Sequence, residues 1–140
     1  VDNSIEAKAL ARTIIKRHEG YTKFPKPDAK NSIEIGYGTN LTFRGISPGE
    51  ADWLLMQDVN RLEGWLSSFP FFDGLSANRK AALLDMAYDV GDEGIDQFGK
   101  MIGWLLHGDF EHAALEMLDS AWAREVPSRA QDDAQLMRQG

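Results

Sequence analysis

Between residues 21 and 46 the chain carries Pro25, Pro27, Gly36, Gly38 and Gly45. No α-helix runs through a stretch punctuated in that way. Within it, Ile33, Ile35 and Tyr37 alternate with Glu34, Gly36 and Gly38, the period of a short strand. The segment predicts a small antiparallel sheet with tight turns. Both flanks have the opposite character. Before it, Ala7, Leu10, Ala11, Ile14 and Ile15 form one apolar stripe over residues 4–19, at helical spacing, and Gly20 is a natural stop.

After it, Ser47-Pro48-Gly49-Glu50 combines a Ser cap, Pro at the first helical position and a reciprocal Glu. Ala51, Leu54, Leu55, Val59, Leu62 and Leu66 continue the stripe, so a long helix is predicted, ended by Phe69-Pro70-Phe71-Phe72. Residues Ala77 to Val90 are apolar nearly all round, which marks a buried central helix. Gly91 and Gly94 close it. Further helices are expected near 95–106, near 109–119 with Asp109 as cap, and from Pro127 onward.

The fold class is therefore α+β: a small N-terminal lobe with a short antiparallel sheet, a long connecting helix and an all-helical C-terminal lobe. The expected organisation is a single domain over 1–140. Residues 13–60 form its N-terminal lobe, and 1–12 with 61–140 its helical lobe. A cleft between two lobes is where a polymeric ligand is expected.

A chain of 140 residues is long enough to bury a core without staples, and it contains no cysteine. Its formal net charge of -7 argues against a nucleic-acid partner, whose binding is dominated by cations on phosphate. That charge also gives no long-range attraction to an anionic wall polymer. No apolar run has the length of a membrane span. Val1 to Arg12, with Asp2, Glu6, Lys8 and Arg12, has no apolar signal core. Synthesis in the cytoplasm and no membrane insertion are the expectation, and nothing argues against a monomer.

Three acids surround the small sheet. Glu19 falls in the last turn of the first helix, facing the negative end of its dipole, an arrangement suited to a proton donor. Asp28 follows in the turn-rich segment and Glu34 in the candidate strand. Glycoside hydrolysis needs two such groups, one to protonate the leaving oxygen and one to activate water or attack the sugar. Acids in loops and at helix ends are also commonly just solvated.

Other chemistries lack their signatures. Gly36-x-Gly38 has neither the third glycine nor the basic residue of a nucleotide loop. His18, His107 and His112 lack the spacing of metal ligands, and no nucleophile elbow is present. Trp53, Trp65, Trp104 and Trp122 read as packing anchors rather than a sugar platform, although Trp122 is placed to do both.

Arg17-His18-Glu19-Gly20, then Asp28, then Ile35-Gly36-Tyr37-Gly38, resembles the signature of the phage-type lysozymes, glycoside hydrolase family 24. Ala81-Ala82-Leu83-Leu84-Asp85-Met86-Ala87-Tyr88 is similar to that family's central helix. Trp122 to Ala130 is similar to its Trp-x4-Pro-x-Arg-Ala element. The likeness spans about residues 10–138. It implies a lysozyme-like fold and a muramidase acting on peptidoglycan glycan strands, with no cofactor. By this resemblance Glu19 is the general acid. Asp28 is the carboxylate that helps the attacking water and stabilises the cationic transition state. Arg129 is the arginine that approaches the acid from the other lobe, and Tyr88 lines the cleft. Asn40 and Leu41 stand where backbone meets the glycan. Arg129 as a surface cation and Tyr88 as plain core remain the structural alternatives.

The departures from the family pattern are specific. Glu34 stands where the family usually has Thr, a residue that would hold the water. Placed on the sugar face opposite Glu19, it would act as base or nucleophile and move the mechanism from inversion toward retention. A third close carboxylate would alternatively perturb the other two and lower activity. Thr39 stands where some relatives have His. Asp89, Met101 and Glu116 stand where substrate contacts are common, and Asn31 replaces a turn glycine, which Asn tolerates. Three functions follow for test: a muramidase that reaches the wall in the periplasm through a membrane lesion; a lytic transglycosylase, which the retained Asp28 disfavours; and a non-catalytic glycan-binding module.

Overall fold

A computed structural model describes residues 3–140. Contacts divide the chain into two compact units, one ending at Asp52 and the other Trp53–Gly140, and each is considered by itself.

The first unit opens with helix α1 (Asn3–Glu19), none of whose side chains is buried. Gly20, at φ +71°, stops it, its N–H donating to the Lys16 carbonyl at 3.0 Å. This left-handed backbone costs a glycine nothing. Three strands follow, β1 (Thr22–Pro27), β2 (Ile33–Gly36) and β3 (Thr39–Asn40), forming one antiparallel sheet in that order. Pro25 and Pro27 sit on β1, an edge strand, where a missing N–H is tolerated. A register irregularity between Thr22 and Lys26 lets the prolines through. Helix α2 (Pro48–Leu66) then starts at the predicted capping box. The Ser47 N–H donates to Glu50 at 2.9 Å, and the Glu50 N–H donates back to the Ser47 hydroxyl at 3.2 Å.

The second unit receives the rest of α2 and adds α3 (Ala77–Val90), α4 (Asp92–Asp96), α5 (Gly99–Leu106), α6 (Phe110–Leu118), α7 (Ala121–Glu125) and α8 (Pro127–Gln139). The architecture is α+β, as the sequence predicts. Helix α3 contributes Ala82, Leu83, Met86 and Ala87 to the core, meeting Met101 and Leu105 of α5, Met117 of α6 and Met137 of α8. Burying each large side chain is worth roughly 1.5–3 kcal/mol. Ala113 and Ala114 on α6, with Ala130 and Ala134 on α8, are fully or almost fully buried and let these two helices approach closely. Two details differ from the sequence reading. The stretch 95–106 is two helices, broken at Phe98, whose ring packs edge-on to Trp122 with centroids 6.4 Å apart. A short helix, α7, also occupies residues not read as helical, with Ser120 as its cap.

One core residue is an acid. Asp133 on α8 is 2% exposed, and its Oδ2 is the buried side-chain oxygen left without a hydrogen-bond partner among the described residues. Burial, followed by hydrogen bonding to Asp85 of α3 and repulsion from it, pushes its pKa up to about 8. Asp133 is therefore the protonated member of the pair near neutral pH and donates to Asp85. Asp85 stays anionic, held low first by its hydrogen bonds from Arg129 and also by Asp133. Because the unfolded chain releases this proton near 3.8, the folded state binds more protons between that value and about 8. Stability therefore falls as pH rises through that window. Urea denaturation from pH 5 to 9 is expected to show this loss in the parent and a flatter profile in Asp133→Asn, with the variant's gain largest above pH 8. Parallel profiles would refute the shared proton.

Candidate active site

Within the first unit, the three predicted acids sit on three different parts of the fold: the end of α1, the β1–β2 hairpin and the middle of β2. Glu19 ends α1 and its carboxyl lies against Gly38. A Cβ added at Gly38 would fall 2.7 Å from Glu19 Oε2 and 3.0 Å from its Cδ, and Gly38 holds φ +77°. Glycine is thus needed twice, for the left-handed turn between β2 and β3 and for the space the carboxyl occupies. The described hydrogen bonds and ion pairs of this unit leave the Glu19 carboxyl unengaged.

Asp28 is placed by the β1–β2 hairpin, and its carboxylate closes that hairpin. Oδ1 accepts the N–H of Lys30 at 2.8 Å and of Ser32 at 3.0 Å; Oδ2 accepts the Ser32 hydroxyl at 2.6 Å. Asn31 takes the left-handed position at φ 62°, the role expected of it in place of glycine. The Ser32 hydroxyl first, then the Ser32 N–H, hold the Asp28 carboxyl below its usual range. The two acids thus receive different treatment: Asp28 is surrounded by donors, while Glu19 is packed against a glycine.

Glu34 lies mid-sheet, opposite Lys26 on one side and Asn40 on the other. Its Oε1 is 3.5 Å from the Lys26 ammonium, and its side chain is 22% exposed. The Asn40 side chain is used internally, donating to Ser32 and accepting from the Phe43 N–H. The Leu41 N–H donates to the Ile33 carbonyl at 2.7 Å and the Asn40 carbonyl accepts from Arg44. Part of the backbone assigned to the glycan is therefore engaged in the sheet. Sequence reasoning missed Ser32, which is 1% exposed and links Asn40 to Asp28. A small polar residue four positions after a hairpin Asp was the available signal.

The second unit gathers the other named residues. The Arg129 guanidinium grips Asp85 bidentately, Nε to Oδ2 at 2.9 Å and Nη2 to Oδ1 at 2.8 Å, and reaches Asp89 at 3.1 Å. Hydrogen bonding to Asp85 is the main cause that raises its pKa further. Asp89 also accepts the Trp122 indole N–H at 2.7 Å, so α3, α7 and α8 are tied through one carboxylate. Tyr88, next to it, is 46% exposed and available to a ligand face. Met101 is 1% exposed and belongs to the core, whereas Glu116 lines a concavity of about 700 Å³ with Lys100, Asp119 and Trp122. Trp122 is the buried anchor expected, Trp65 packs at the core edge, and Trp53 is 62% exposed.

A helix ending in Glu-Gly, a three-stranded sheet carrying an ionised Asp and a helical unit with an Arg-bearing last helix together define a lysozyme-type α+β protein. The phage lysozyme family profile matches residues 16–134, and the chain belongs to that family. It is 27% identical over 104 residues to the probable T4-type lysozyme 2 of Dictyostelium discoideum, covering 69% of this chain and 61% of that protein. It is 29% identical over 89 residues to the pre-baseplate central spike protein Gp5 of Enterobacteria phage T4, covering 61% of this chain and 16% of that protein. The chain thus spans about three fifths of the first relative's length and about one sixth of the second's.

The two glycines of the β2–β3 turn separate backbone strain from contact with Glu19. Gly36 also has positive φ, but an added Cβ there meets nothing within 4 Å. Gly36→Ala and Gly38→Ala should each cost about 1–2 kcal/mol for an alanine in the left-handed region, read by urea denaturation. Only Gly38→Ala should also move the Glu19 carboxyl carbon resonance. Equal displacement in both variants would deny the contact.

Proposed function

We propose that this chain is a muramidase that hydrolyses the β-1,4 bond between N-acetylmuramic acid and N-acetylglucosamine in peptidoglycan. The observation that carries this reading is the contrast between Glu19 and Asp28: one carboxyl without a donor in its unit, the other held by three donors. Glu19 gives its proton to the glycosidic oxygen as the C1–O bond breaks. Asp28 stabilises the positive charge that develops on the sugar and helps orient the attacking water. Arg129 and Tyr88 are assigned to the glycan-facing surface of the helical unit. Asp89 stands with them, holding Arg129 and Trp122, and Asn40 and Leu41 of the first unit complete the assignment. The chain works as a single lysozyme-like domain and a monomer, without a cofactor.

Glu34 receives the proton of the attacking water or attacks C1 itself. Its Lys26 partner is the group it must share or release in that step. The biological role we assign is lysis of a host wall, as an endolysin made in the cytoplasm and released to the periplasm. No helix among the described residues is long and apolar enough to cross a membrane.

Turbidity clearing of permeabilised Gram-negative cells is expected to fall by about 10²–10⁴ in Glu19→Gln, the usual contribution of a positioned general acid. Wall lysis at the parental rate in that variant would end the assignment. For Glu34, product anomers from a defined oligosaccharide decide. Retention in the parent that becomes inversion in Glu34→Gln supports a nucleophile; inversion at unchanged rate in both removes any chemical role. Mass spectrometry of digested walls separates hydrolysis from transglycosylation by one water, and binding without release of soluble fragments would mark a non-catalytic module.

A further inference from the structure

We propose that Ser32 and Asn40 are positioning residues that hold Asp28 as an oriented anion through a hydrogen-bond chain of fixed direction. The proposal rests on Asp28 being the second carboxylate of the reaction, as assigned above.

The direction of the chain follows from donor and acceptor bookkeeping. A backbone N–H can only donate, and that of Phe43 donates to Asn40 Oδ1 at 2.9 Å. This fixes the amide orientation, so Asn40 presents its Nδ2 to Ser32, donating to the hydroxyl oxygen at 2.9 Å. The Ser32 hydroxyl, having accepted, directs its single proton to Asp28 Oδ2 at 2.6 Å. Asp28 is left in the acceptor role. Its other oxygen already takes two backbone N–H groups, so a proton on Asp28 would meet a donor at each of these contacts. The chain runs Phe43, Asn40, Ser32, Asp28, and each link polarises the next.

Burial gives the chain its stiffness. Ser32 is 1% exposed, so water does not readily replace its hydroxyl, and Asp28 itself is half-buried. Ser32 and Asn40 come from β2's leading edge and from β3, and the β2–β3 pairing of Glu34 with Asn40 sets their spacing. The lowered pKa of Asp28, caused first by the Ser32 hydroxyl, agrees with this arrangement. A purely structural hairpin cap would need only the backbone donors. The side-chain extension to Asn40 adds orientation of Oδ2, the oxygen with one acceptor direction left for water or a sugar cation.

The test uses the full chain and two variants. Ser32→Ala removes the link. Asn40→Asp is isosteric, still accepts from Phe43, and reverses the chain by taking the Ser32 proton for itself. Two readouts are followed: the Asp28 carboxyl carbon titration by NMR, and the pH profile of kcat and KM on a soluble peptidoglycan oligosaccharide. Both variants should move the Asp28 titration and the acid limb of kcat to higher pH. They should lower kcat about tenfold, as for loss of one hydrogen bond to a charged group, with KM changed less than about twofold. Ser32→Thr, which keeps the hydroxyl, should restore the parental titration. An unmoved titration and acid limb in both folded variants would overturn the proposal. So would a parental Asp28 that titrates in the ordinary carboxylate range, a measurement that stands even where Ser32→Ala fails to fold. Full activity in Asp28→Asn would instead refute the assignment of Asp28. Loss of activity in Asp28→Asn beside unmoved titrations would refute the positioning role alone.

Discussion

The first unit depends on one carboxylate. Asp28 accepts from Lys30, Ser32 and the Ser32 hydroxyl, and these bonds close the hairpin between a proline-bearing edge strand and β2. Prolines 25 and 27 deprive β1 of two ladder donors, so the backbone pairing of β1 with β2 has fewer bonds to offer there. The side chain of Asp28 supplies part of what the prolines remove. The same bonds that close the turn favour the ionised form of the group. Folding and the chemistry assigned to Asp28 therefore draw on the same donors, and a change that loosens one loosens the other.

The helical unit handles its charges in a different way. Arg129 brings one guanidinium between Asp85 and Asp89, and Trp122 adds an indole N–H to Asp89. Asp85 and Asp89 already leave the cluster one negative charge in excess of Arg129, and an ionised Asp133 would make that excess two. The proton on Asp133 limits the excess: the buried acid becomes a donor, Asp85 remains the acceptor, and the cluster holds one fewer negative charge inside the α3–α8 contact. A buried acid beside an anion is costly when charged. The arrangement is tolerable because the proton stays.

Much of this was legible in the sequence, for identifiable reasons. Helical period and capping chemistry located α1, α2 and α3, since Gly20, the Ser47–Glu50 box and Gly91 act through local backbone rules that hold wherever the chain goes. The sheet was legible from its glycines and from the alternation at Ile33 to Tyr37. What was not legible depended on distant packing. Hydrophobic spacing does not divide 95–106; at the break, the Phe98 ring packs on Trp122, a partner distant in sequence. Asp133 sits at an ordinary-looking polar position on an amphipathic helix, and only the neighbouring helix makes it an interior group. Ser32 was passed over because a single serine carries no periodicity, and its place in the structure comes from side-chain hydrogen bonds to Asn40 and Asp28 that engage its hydroxyl on both sides.

The sequence motif named Glu19 and Asp28 but did not say how two carboxylates of similar intrinsic acidity would be given different tasks. The structure of the first unit supplies a physical distinction. Hydrogen-bond donors stabilise the charged form of the group they surround, and three converge on Asp28. Glu19 faces a glycine whose missing Cβ leaves room for the carboxyl and offers it no side-chain donor. Sorting acid from base by environment is the general solution when both groups are carboxylates. In the function proposed above, that sorting would rest on a serine, an asparagine and a glycine rather than on a third charge. Glu34 is the exception to that economy, because its partner is the cation Lys26. A carboxylate kept by an exposed lysine ammonium is bound less firmly than one kept by backbone N–H groups, so of the two partnered acids Glu34 is held more loosely than Asp28.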